Sequence, residues 1–161
     1  MLRDISPPAV AYAARCNACD IRHWRSHCMI DGIGERIGKG HLYSSTEAAC
    51  IAIAAFIARH GIGFREAFRI VGDRRAQIDE LVKGQLRSGH CDGSDYVLTF
   101  ALDPDISNGY RSITGAPIAR CALGEDVAGA LQVNLSLIIR SVVDRLAFCE
   151  KHLSADMSDA A

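Results

Sequence analysis

The sequence predicts a mainly α protein with a small β component. A helical N-terminal head with a glycine-rich hairpin is followed by a short strand-containing region and a C-terminal amphipathic helix. Three observations carry this expectation. Helix-start residues stand before apolar stripes at Ser6, Asn17 and Ser44. Four glycines fall between Gly32 and Gly40, next to a β-prone run. Apolar residues make up 49% and charged residues 23% of the 161, enough apolar material for a real core without disorder-like charge.

Each element follows in chain order. Ser6-Pro7-Pro8 opens a short helix over Ala9–Arg15, because proline is preformed for a first helical turn. Asn17 caps a second helix, Ala18–His27, with Asp20 three places on in a capping-box position. Ile21 and Trp24 share its inner face, and Arg22, His23 and Arg25 are expected outside. Gly32–Tyr43 reads as a hairpin. Ser44-Ser45-Thr46-Glu47 starts a core helix over Ala48–His60, which Gly61 ends. A short helix covers Phe64–Val71 and another Arg74–Arg87. After a turn-rich linker at 88–95, Tyr96–Leu102 is a strand, Asn108-Gly109 a turn, and a second strand lies within Tyr110–Leu123. Asn134 caps a final helix striped by Leu135, Ile138 or Ile139, Val142, Leu146, Cys149 and Leu153, and Ser154–Ala161 is expected as a loose tail.

Charge is unevenly spread. The net charge is −1, yet residues 15–75 carry ten Lys/Arg against six Asp/Glu, leaving the remainder acidic. This pattern fits a nucleic-acid-binding head, 1–75, on a dimerisation or regulatory region, 76–161. The longest apolar run, Ala48–Ala58, is too short to span a bilayer, and no signal-peptide core precedes Pro7-Pro8. A cytoplasmic protein with no membrane partner is expected.

The seven cysteines are an odd number, which argues against a disulfide framework. Cys16-x-x-Cys19 with His23, His27 and Cys28 resembles a zinc set in spacing alone. A helix over 17–27 would hold Cys16 and His27 roughly 16 Å apart, too far for one ion. Asp20 after Cys19 excludes a haem-attachment motif. In the glycine loop, a phosphate-binding P-loop would need Gly where Ile33 stands and Ser or Thr at Gly40, and Ile37 breaks the dinucleotide pattern. No nucleophile–base pairing stands at a recognisable spacing. The expectation is therefore no enzyme, no catalytic residue, no metal and no cofactor.

The order helix, turn, helix with Ile21-Arg22-His23-Trp24, hairpin ending in Leu42-Tyr43-Ser44, core helix, then Gly61-Ile62-Gly63-Phe64-Arg65-Glu66-Ala67 resembles the winged helix-turn-helix head of MerR-type transcription regulators. The resemblance covers residues 6–71. Arg15 stands at the turn position where that family usually has glycine, and Cys28 replaces the glycine after the second helix.

The resemblance implies a dimeric, sequence-specific regulator of double-stranded DNA, with helix 18–27 in the major groove and hairpin 32–43 as the wing. Arg22, His23 and Arg25 would contact phosphates or base edges, arginine being best suited to guanine. Asn17 could read adenine, and Asp20 could accept from cytosine. Arg36, Lys39 and His41 would grip the backbone or minor groove, and Tyr43 would donate its hydroxyl to a phosphate. A DNA-architectural or recombination-accessory protein, such as an excisionase or packaging subunit, is the alternative use of the same head. The sequence names no effector.

Overall fold

The computed structural model describes residues 4–27, 29–30, 32–38, 40–88, 96–102, 110–113 and 130–158. It is mainly helical with a small β component, as expected from the sequence. Helices α1 (Pro7–Ala14) and α2 (Ala18–Ser26) are joined by three residues. Strands β1 (Glu35–Ile37) and β2 (Gly40–Leu42) form an antiparallel hairpin with Arg36 opposite His41. Next come α3 (Ser45–Arg59), α4 (Phe64–Asp73) and α5 (Arg75–Ser88), then β3 (Val97–Leu102), β4 (Tyr110–Ile113), β5 (Ala130–Asn134) and α6 (Leu135–Ser158).

Helix α3 is the axis of the fold. Ala48, Ala49, Ile51, Ile53, Ala54 and Ile57 are buried on every side of it. A helix apolar all round is stable in water only when other elements enclose it, and α1, α4, α5 and α6 all pack on it. One apolar core runs from Val10 and Trp24 through α3 to Ile78 and Val82 of α5 and Ile139, Val142 and Leu146 of α6. The division expected after residue 75 falls at the first residue of α5, and this core has members on both sides of it. The stripe on α6 seals the core, with Leu135, Ile139, Val142 and Leu146 all buried.

Two details differ from expectation. Strand β5 is an unforeseen element, and it makes the second sheet three-stranded in the order β4-β3-β5, all antiparallel. Helix α6 continues through Ser158, into the stretch expected as tail. Its start is as foreseen: the Leu137 N–H donates to the Asn134 side-chain oxygen at 2.9 Å. Tyr96 ties sheet to helix, accepting from the Leu135 N–H at 2.8 Å and donating its own N–H to the Ser136 hydroxyl at 3.1 Å. The expected linker at 89–95, the Asn108-Gly109 turn and the stretch 114–123 lie outside the described residues.

Candidate nucleic-acid interface

The candidate surface is built from the α1–α2 turn, the outer face of α2 and the hairpin. Arg15 adopts the left-handed conformation, φ 55°, where glycine has no steric penalty. The turn still closes: Cys16 N–H donates to the Ala11 carbonyl at 3.0 Å and Arg15 N–H to Tyr12 at 3.2 Å. A distant residue holds it. Arg59 at the end of α3 donates from Nη2 to the carbonyls of Ala14 at 3.0 Å and Arg15 at 2.8 Å. A cation there satisfies the end of α1 and opposes its dipole.

Helix α2 is divided cleanly. Ile21 and Trp24 face the core, and the Trp24 ring lies 4.7 Å from Phe64 and 5.7 Å from Phe68, centroid to centroid. Asn17, Arg22 and His23 are exposed. His23 and His27 stack one turn apart, with ring centroids 4.3 Å apart. Asp20 turns back along its own helix and accepts from the Asn17 N–H at 2.8 Å. That bond occupies a carboxylate oxygen in capping α2.

Arg25 and Tyr43 are placed differently from the solvent-facing roles expected of them. Tyr43 is 2% exposed, so its hydroxyl faces the protein interior. Arg25 Nη2 donates to that hydroxyl at 2.8 Å and to the Ile33 carbonyl at 2.7 Å. The two side chains therefore brace the hairpin root against α2. Tyr43 also pairs with Ile5 in both directions, its N–H donating at 3.0 Å and its carbonyl accepting at 2.9 Å. Gly34 fits beneath this brace. Its φ is +82°, and a Cβ there would stand 2.8 Å from Tyr43 Cε1.

A second brace centres on Glu47. Its carboxylate accepts from the Gly34 N–H at 3.0 Å, the Ser44 N–H at 2.8 Å and Arg75 Nη2 at 3.0 Å. Burial alone would raise its pKa, but these N–H groups, the Ser44 hydroxyl and Arg75 outweigh it and hold the carboxyl below its ordinary value. Arg75 also donates to the Gly32 carbonyl at 3.3 Å. The sequence pattern marks Glu47 as a helix cap; its reach to Arg75 on α5 has no local signal.

On the hairpin, Arg36 is exposed and His41 partly so. Desolvation, with the guanidiniums of Arg25 and Arg36, holds His41 below its usual pKa. Lys39 lies outside the described residues. Among the described residues, no group of three or more His, Cys, Asp or Glu side chains gathers as a metal site, and no helix is long and apolar enough to cross a membrane. Burial raises the Cys16 thiol to about 11 and the Cys50 thiol to about 12.

No protein-family model matches the chain, and no curated protein is significantly similar to it.

Proposed function

We propose that the chain is a sequence-specific DNA-binding transcription regulator that acts as a dimer, with α2 in the major groove and the hairpin along the flanking backbone. The division of α2 carries this reading. Its apolar face is consumed by the core, while Asn17, Arg22 and His23 stand exposed beside a hairpin that offers Arg36 and His41. Side chains of this kind suit base edges in the major groove, arginine for guanine and asparagine for adenine. Arg36 and His41, with Lys39, supply sequence-independent contacts to phosphates. Arg25, Tyr43 and Asp20 act indirectly in this reading, by fixing the hairpin and the start of α2.

Selection from a random DNA pool, followed by a salt titration on the winning sequence, tests it. An inverted repeat bound with a steep salt dependence is the expected result. Direct or single sites would favour an architectural or recombination-accessory protein. Failure to enrich any sequence at low salt would overturn DNA binding altogether.

A further inference from the structure

We propose that the groove between α1, α3 and α6 binds a small monocarboxylate with an apolar body, and that its occupancy is felt at the turn leading into α2. The groove encloses about 380 Å³, within the range of small-ligand sites. Its floor is apolar, from Ala52 on α3 and Ile138 and Val142 on α6. Three arginines, Arg15, Arg59 and Arg145, belong to its lining, and among the described residues no Asp or Glu does. Among the described residues none of the three forms an ion pair.

Their present partners are weaker acceptors than a carboxylate. Arg59 is held by the neutral carbonyls of Ala14 and Arg15. Arg145 lies over the Tyr12 ring, 5.9 Å from its centroid, and reaches the Tyr12 carbonyl at 3.5 Å. A carboxylate gains charge-assisted, bidentate bonds from such groups, while a hydrocarbon body gains from the apolar floor. Neither a bare ion nor a neutral apolar molecule satisfies both parts.

Arg59 supplies the coupling. Arg59 lines the groove, and its guanidinium is the clamp on the turn before α2. The two carbonyls are held from Nη2 alone, so a carboxylate on Nε and Nη1 would share this guanidinium with the turn, and groove occupancy and clamp are linked through one side chain. This second half rests on the DNA-binding reading; the binding itself does not.

Calorimetric titration of the full chain without DNA tests the site, using octanoate, acetate and octan-1-ol as probes. Octanoate should bind once per chain, roughly tenfold or more tighter than either control. Arg145→Gln should weaken octanoate about tenfold, and Ser141→Phe, which places a ring in the groove, should abolish it. Octan-1-ol binding as well as octanoate would overturn the proposal, and so would equal binding of acetate. Octanoate binding unchanged in Arg145→Gln would also overturn it, and that surface variant keeps the test decisive even if Ser141→Phe fails to fold. Because no DNA is present, failure here leaves the DNA reading standing, and failure of DNA selection leaves the groove standing.

Discussion

The Arg25 guanidinium donates to the buried Tyr43 hydroxyl at 2.8 Å, so a polar side chain of α2 is spent on holding the hairpin. Tyr43→Phe removes the acceptor and leaves Arg25 with the Ile33 carbonyl alone. The expected cost is about 1 kcal/mol of stability by chemical denaturation. Under the proposed DNA-binding reading, affinity should fall for all sequences alike, because Tyr43 is assigned no base contact.

Gly34→Ala should be the most damaging single-methyl change on the hairpin. The new Cβ would meet Tyr43 at 2.8 Å and Arg25 at 3.1 Å, at a backbone φ of +82°. A loss of about 1–3 kcal/mol is expected from strain and displacement. Gly38→Ala, at φ +59° with nothing within 4 Å of the added carbon, should cost less. Comparing the two melting curves separates steric conflict from backbone conformation.

Trp24→Ala and Arg22→Ala divide α2 by function. Trp24 is 4% exposed between Phe64 and Phe68, and its truncation should cost about 3–5 kcal/mol. Arg22 is exposed, and its truncation should change stability by no more than about 0.5 kcal/mol. Under the proposed DNA-binding reading, Arg22→Ala should relax the selected DNA sequence, whereas Arg36→Ala should weaken every sequence alike and lower the salt slope.

Acid should loosen the hairpin through Glu47. Its carboxyl is held below the ordinary 4.5 in the folded chain. A depressed folded pKa contributes stability that is full above the unfolded value and is lost as pH falls through the folded one. Wild-type stability should therefore drop below about pH 4.5, and Glu47→Gln should show a shallower acid limb from a lower plateau. Denaturation midpoints from pH 7 to pH 3 check this.

Thiol labelling should follow burial. Among the four described cysteines, Cys19 is exposed while Cys50 is buried, its thiol raised to about 12. At neutral pH an alkylating reagent should label Cys19 well before Cys16, whose thiol is raised to about 11, and should reach Cys50 only on unfolding. Peptide mapping by mass spectrometry orders the three.

The helices were legible because their signals are local. Ser44 and Glu47 announce the start of α3 as its cap and third residue, and Ile21 with Trp24 marks the inner face of α2. Strand β5 was not, since Ala130-Leu131-Gln132-Val133-Asn134 is short and its partner β3 lies some thirty residues earlier. The candidate interface was half legible. Asn17, Arg22, His23 and Arg36 stand at the surface as their positions suggest. Arg25 and Tyr43 turn inward because they find each other across eighteen residues, and Arg59 reaches Arg15 across forty-four. Such meetings depend on tertiary placement that no window of sequence contains.

The enclosure of α3 has a consequence for how this chain can be cut and recombined. A fragment ending at residue 75 would strip α5 and α6 from a helix that is apolar on every side, and the bared surface would drive clumping rather than a working miniature. The N-terminal half is thus not a portable cassette. Any chimaera that borrows it must bring α5 and α6 along, because both pack on α3 in one shared core.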